Sequence, residues 1–193
     1  PKIKTVDTPR HAFTDNEYIR FSKASFECAE RGDVVRGVQI TAHHAKMFKF
    51  IVHSFLRPTG GELFGLKHKD IQSHSNPNYL EMNVRGGKTG QRVSVTMPLA
   101  KALYGSTKTS AEWPHVDPEE YVWMPEYPNR TTAINTARRL FNHMLKAAGL
   151  NDADKKLSPY SLRHYALQTR LRSSHGKVNI HTLAHNAGTS VDQ

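Results

Sequence analysis

At 193 residues the chain is long enough for one sizeable core or two small ones, and its length favours one main domain. Hydrophobic residues make up 37% and charged residues 23%, and the apolar positions fall in short periodic stretches rather than a run long enough to span a bilayer; this argues against a helical membrane protein and for a soluble, globular one. Lysine and arginine number 27 against 17 acidic residues, so the formal net charge is +10 and an anionic partner is favoured.

The chain opens Pro1-Lys2-Ile3-Lys4 with no signal-peptide hydrophobic region, and the missing initiator methionine points to an excised fragment of a longer protein. Thr14, with Glu17 three residues on, has the pattern of a capping box, predicting a helix to about Glu30 that Arg31-Gly32-Asp33 breaks. The single cysteine, Cys28, excludes an internal disulfide framework, fits a reducing cytoplasm and reads as a small buried hydrophobe. Ile40, Met47, Phe48, Ile51, Val52 and Phe55 recur at helical spacing and predict a longer helix from about Val38 to Phe55. Leu56-Arg57-Pro58-Thr59-Gly60-Gly61 forces a turn, and Glu62 to Leu66 reads as a short helix.

The period then changes. Tyr79, Met82 and Val84 lead into Arg85-Gly86-Gly87-Lys88-Thr89-Gly90, and Val93, Val95 and Met97 alternate beyond it, which predicts a β-hairpin with a glycine-rich tip. Pro98 opens a helix to about Tyr104, and the proline-bearing stretch from Gly105 to Asn129 reads mostly as loop. Thr131 to Leu150 is predicted to be an amphipathic helix with Ala137, Leu140, Phe141, Met144, Leu145 and Ala148 on its apolar face. Ser158-Pro159 starts a further helix to about Arg172, with proline at its first position. A turn at Ser174 to Lys177 and a short helix from Ile180 to about Asn186 complete an α+β, mainly α, reading with a small antiparallel hairpin or three-stranded sheet on one edge.

The charge is uneven. Residues 130 to 172 hold nine cations, Arg130, Arg138, Arg139, Lys146, Lys155, Lys156, Arg163, Arg170 and Arg172, against Asp152 and Asp154. Counterion release from a phosphate backbone is the strongest general reason to concentrate positive charge, and no apolar anchoring stripe points to a membrane instead. Arg130, Arg138, Arg139, Lys155 and Lys156 are therefore expected to contact DNA.

Within this map three segments carry chemistry. Arg57, at a helix end before a tight turn, reads either as a guanidinium fork held toward one phosphate or as a helix-end arginine pairing with a carbonyl. Lys88, among hairpin glycines, reads as a cation reaching into a groove or as a solvated tip lysine. Tyr160, Arg163 and His164, at i, i+3 and i+4, put a phenol, a cation and an imidazole on one helix side, where they converge on an anion or where a buried histidine is capped by tyrosine. Leu183-Ala184-His185-Asn186-Ala187-Gly188 follows.

Taken in order, these boxes resemble the catalytic domain of the tyrosine recombinases, the phage integrases of prophages and mobile genetic elements, over nearly the whole chain. Ala12-Phe13-Thr14-Asp15-Asn16-Glu17 is similar to the opening of that domain. The resemblance matches Arg57 to the family's first arginine, Lys88 to its hairpin lysine, Arg163 to its second arginine and His185 to its late histidine. It implies DNA cleavage and rejoining through a 3′-phosphotyrosine link, with Arg57, Arg163 and His185 stabilising the phosphate and Lys88 acting as general acid, without metal, ATP or other cofactor. It also implies an additional N-terminal DNA-binding domain, action as a tetramer on double-stranded DNA with a DNA-bending accessory protein, and a place in the bacterial cytoplasm on the nucleoid. The nucleophilic tyrosine is expected after the late histidine and hence past Gln193, so that this stretch would hold DNA without cutting it.

Two features depart from the family pattern. Glu62 lies five residues after Arg57 where the family has three, as if the Pro58-Thr59-Gly60-Gly61 turn were expanded. Tyr160 stands where the family usually places a proton-transferring histidine; a phenol, ordinarily ionising near about 10, donates a hydrogen bond to a phosphoryl oxygen better than it accepts a proton near neutrality. Tyr160 is therefore expected to orient phosphate and His164 to pack inside. Two other functions fit parts of the sequence: a non-catalytic or decayed integrase-like DNA-binding protein, and a metal-dependent nuclease prompted by His181 and His185 at ligand spacing, for which no clustered carboxylate or cysteine completes a site. A type IB topoisomerase shares the chemistry, but the compact boxes favour recombination.

Overall fold

The computed structural model describes residues 11–87, 90–108, 117–151 and 155–190. Lys88, Asp152 and Asp154 lie outside them. Helix α1, Asp15–Arg31, starts as the sequence predicts: the Thr14 hydroxyl accepts from Glu17 N at 3.3 Å and the Glu17 carboxylate from Thr14 N at 2.7 Å. Cys28 is fully buried on its inner face.

The next stretch differs from the predicted helix. Val34–Val35 (β1) and Val38–Gln39 (β2) pair antiparallel about Arg36 and Gly37, both at positive φ, and helix α2 begins only at Ala42 and runs to Ser54. β-Branched valines flanking a glycine turn prefer the extended pair, and Thr41 then caps the helix, its N–H bonded to His44 Nδ1 at 3.1 Å. Phe55 closes α2 in the left-handed region, at φ 61°.

Beyond the turn, the short helix expected from Glu62 to Leu66 is a single 3₁₀ turn, Leu63–Gly65, and a second 3₁₀ turn spans His68–Asp70. Strands β3 (Ile71–Ser75), β4 (Asn78–Gly87) and β5 (Gly90–Val95) form an antiparallel sheet in the order β3-β4-β5. Leu80, Met82 and Val84 face the core from β4. On β5 the polar members face inward: Val93 and Val95 are 49% and 40% exposed, whereas the Arg92 side chain is 6% exposed and Ser94 is buried.

Helix α3, Pro98–Lys108, continues past the predicted end at Tyr104, with Gly105 inside it. Helix α4, Arg130–Ala147, is capped by the Asn129 side chain and packs its Phe141 ring 4.8 Å from Phe21 of α1 and 5.3 Å from Phe48 of α2. Helices α5, Pro159–Ser173, and α6, Ile180–Ala187, follow close to expectation. The architecture is α+β and mainly α, with the three-stranded sheet on one edge as expected. No helix among the described residues is long and apolar enough to cross a membrane.

Candidate active site

Three chain segments build the site. The first is the turn after α2, which leaves Arg57 7% exposed. Leu63 N and Thr59 N both donate to the Arg57 carbonyl, at 3.1 and 2.8 Å, and Glu62 N donates to the Thr59 carbonyl at 3.2 Å. That closed turn folds Glu62 back so that its carboxylate accepts from Arg57 N at 2.9 Å and from Arg57 Nη1 at 2.5 Å. The wider spacing in the sequence therefore leaves the pair intact. Gly61 is needed for a close approach: a Cβ there would lie 1.8 Å from the Gly86 carbonyl oxygen of β4, so the turn sits directly against the hairpin that carries Lys88.

The second segment is α5, whose Ser158 cap and Pro159 start put Arg163 one turn inside the helix. Arg163 is 2% exposed; its Nη1 donates to the Phe55 carbonyl and its Nη2 to the Ala187 carbonyl at 2.8 Å. The left-handed Phe55 turns that carbonyl toward the guanidinium. The third is α6, whose last turn ends at Gly188, φ 67°.

Three successive carbonyls of that turn each meet a different arginine: Asn186 O accepts from Arg92 Nε at 3.2 Å, Ala187 O from Arg163 Nη2, and Gly188 O from Arg57 Nη2. Guanidiniums at a helix C-terminus satisfy its orphan carbonyls and oppose its negative dipole end. Arg92 also forks onto Glu62, Nη2 to Oε2 at 2.8 Å and Nη1 to Oε1 at 3.2 Å. Two guanidiniums thus bond one buried carboxylate and a third, Arg163, lies close enough to feel its charge, so that the three arginines and Glu62 together carry two net positive charges.

The electrostatics follow from burial and charge. Burial works against the Glu62 charge, but Arg92 and Arg57 outweigh it and hold the carboxyl below its usual value. Burial likewise opposes the Arg57 charge, and Glu62 with Tyr160 overcomes it. For Arg163 burial prevails, and the Arg57 charge beside it adds to the downward shift.

Tyr160, half-buried one turn before Arg163, is hydrogen-bonded to Arg57. His164 is half-buried, its ring 5.2 Å from that of Tyr160; Tyr165, not His164, is the member of this box that packs inside, 4.6 Å from Tyr18 of α1. His185 is exposed on the turn that the arginines hold. A cavity of about 450 Å³ lined by Pro58, Thr59, Arg138 and Tyr160 opens beside the site.

Of the cations expected on DNA, Arg138, Arg139 and Lys156 are exposed. Two are otherwise engaged. Arg130 turns inward, donating to the carbonyls of Trp123, Met124 and Tyr127 in the loop before α4 and lying 4.0 Å from the Tyr121 ring. Lys155 is bonded to both oxygens of Glu17 at 2.6 and 2.7 Å. Cys28, Asp33 and His143 are the described residues whose ligand atoms gather within metal-binding reach, and Asp33 there is bonded to Arg31 and His143; neither His181 nor His185 belongs to the group.

No protein-family model and no curated protein sequence matches the chain. Solved structures do. The chain is similar over 100% of its length to XerA recombinase (20% identity, TM-score 0.65) and over 93% to the lambda integrase catalytic core (17%, 0.60). The fold is that of a tyrosine-recombinase catalytic domain. The similarity extends over 98% of the chain to a lambda integrase tetramer bound to a Holliday junction (16% identity, TM-score 0.63). The chain spans 59% of the XerA chain and 50% of that junction-bound integrase, but 91% of the lambda catalytic core, so the tyrosine-recombinase likeness centres on the catalytic unit.

Sequence reasoning missed Arg92 and Asn186. For Arg92 a partial signal was present, an arginine immediately before the alternating Val93 and Val95 that needs a carboxylate once its face of β5 is buried, and Glu62 is that carboxylate; Asn186 carried none.

Proposed function

We propose that this chain is the catalytic domain of a site-specific DNA recombinase that cleaves and rejoins double-stranded DNA through a 3′-phosphotyrosine intermediate. The observation that carries the reading is the convergence of Arg57 and Arg163, 106 residues apart in sequence, on the last turn of α6 beside Tyr160 and the exposed His185. Arg57, Arg163 and His185 stabilise the charge that develops on the nonbridging oxygens, work that preorganised donors do without solvent reorganisation. Tyr160 orients the same phosphate. A tyrosine downstream of His185 loses its proton to solvent and attacks phosphorus, the bond to the 5′-oxygen breaks, and Lys88 on the hairpin gives that oxygen a proton that solvent then restores to the amine. Attack by the 5′-hydroxyl of another strand reverses the step and reseals the DNA, so no external energy source enters. Arg138, Arg139 and Lys156 hold the flanking backbone, and the full protein works as a tetramer on DNA.

Duplex binding and covalent trapping test the proposal together. The 193-residue chain is expected to bind duplex with an affinity that falls steeply with salt, and a version extended to its next tyrosine to trap covalently on a nicked suicide substrate; Arg163→Ala abolishes trapping. Salt-insensitive binding, or trapping that survives Arg163→Ala, refutes it.

A further inference from the structure

We infer that Arg92 and Asn186 are positioning residues that tie the hairpin bearing Lys88 to the helix bearing His185, so that the two groups reach a phosphate as one unit. This rests on the roles proposed above for Lys88 and His185. The tie is built from both sides. From β5, Arg92 reaches Asn186 O through Nε while its two terminal nitrogens grip Glu62. From α6, the Asn186 carboxamide brackets one residue of β5: its Oδ1 accepts from Val95 N at 2.6 Å and its Nδ2 donates to Val95 O at 2.9 Å. Asn186 thus satisfies both backbone groups of an edge-strand residue, as a neighbouring strand would.

Gly188 shows how tightly the parts fit. A Cβ there would lie 2.6 Å from Arg92 Cζ, and its φ of 67° is one that side chains rarely adopt. The Arg92 side chain is 6% exposed and fully engaged, which suits a residue that positions others rather than one that meets DNA itself. Lys88 lies four residues before Arg92 in sequence and His185 immediately before Asn186, so the proposed catalytic groups belong to the two chain segments that the tie joins. A displacement of the hairpin on DNA is transmitted through bonded backbone to the turn carrying His185.

A double-mutant cycle distinguishes this from a merely structural role, because a uniform loss of fold quality cancels in the cycle. The rate of covalent trapping on a nicked suicide substrate, in the version extended to its next tyrosine, is measured for Lys88→Ala, His185→Ala and the pair, in the otherwise unaltered chain and in two backgrounds, Asn186→Ala and Arg92→Lys. Lysine keeps the charge toward Glu62 but cannot also reach the Asn186 carbonyl, so the charge stays and the tie is cut. In the unaltered chain the combined loss is expected to depart clearly from the product of the single losses; in either background the losses multiply to within about a factor of two. Equal coupling with and without the tie overturns the inference while leaving the proposed function standing. If Lys88→Ala and His185→Ala have no effect even singly, the proposed roles fail and the inference with them. Either background that unfolds cooperatively on heating suffices.

Discussion

Glu62→Gln is the most demanding test of how the site is held. The carboxylate accepts four hydrogen bonds, from Arg57 N, Arg57 Nη1 and both terminal nitrogens of Arg92, and its side chain is fully buried. Glutamine keeps the shape but removes the charge, leaving three guanidiniums without a counter-charge and turning an amide N–H₂ toward donors. Breaking a buried pair from one side costs about 3–5 kcal/mol, far above the worth of an exposed pair. Urea denaturation at neutral pH is expected to show a loss of that order. Phosphate should then restore part of it, since an anion binding the folded state at about a hundred times its Kd returns about 2.7 kcal/mol; the same phosphate should stabilise the unaltered chain less. The pH dependence gives a second check. The Glu62 carboxyl titrates below its usual value when folded, so its contribution is present above the unfolded pKa of 4.5 and fades as pH falls through the folded value. The difference between variant and parent must therefore shrink in acid. A variant within about 1 kcal/mol of the parent at neutral pH, or equal stabilisation of both by phosphate, refutes the charge-centred account of the cluster.

Two further predictions concern the basic face and the buried imidazoles. Arg130→Ala is expected to lower stability by about 1–3 kcal/mol, through the carbonyl hydrogen bonds it removes, while the salt slope of duplex binding stays the same; Arg138→Ala or Arg139→Ala should reduce that slope by about one with little effect on stability. A salt slope that falls with Arg130→Ala would return that residue to the DNA-facing set. Burial pushes His43 down to about 3 and His44 and His53 down to about 4, so the unfolded chain binds protons that the folded one refuses. Stability is then complete above about pH 6.5 and falls as pH drops toward 4, by about 3 kcal/mol for each such histidine; urea midpoints across this range check it, and a flat profile contradicts it.

Where local chemistry decides the structure, the sequence shows it. The Thr14 box and the Ser158-Pro159 start are settled by side chains within three residues of the backbone groups they serve. The boundaries that shifted were decided from farther away. Periodicity alone carried α2 back to Val38, but the hairpin of β1 and β2 takes those residues, and Ile40 is buried without being helical. Gly105 reads as a breaker, yet α3 continues through it. On β5 the valines mark a strand correctly but do not say which face is inward; a strand has period two, so that choice decides whether valine or arginine meets the core. Here Glu62, thirty residues earlier, takes the decision.

The same reasoning explains why Arg57 was legible in the sequence despite an irregular spacing. Two extra residues between an arginine and its carboxylate would move a helical partner through just over half a turn, onto the opposite face. Between Arg57 and Glu62 the chain is not helical: the bonds from Thr59 N and Leu63 N to the Arg57 carbonyl close the segment on itself, and the added length is absorbed in the loop. What is retained is the closure of the turn, not the count of residues within it. The missing Cβ of Gly61 lets this turn press on the Gly86 carbonyl of β4. The arginine turn therefore lies in contact with the hairpin, and Arg92 reaches back from the other strand of that hairpin to the carboxylate that the turn delivers.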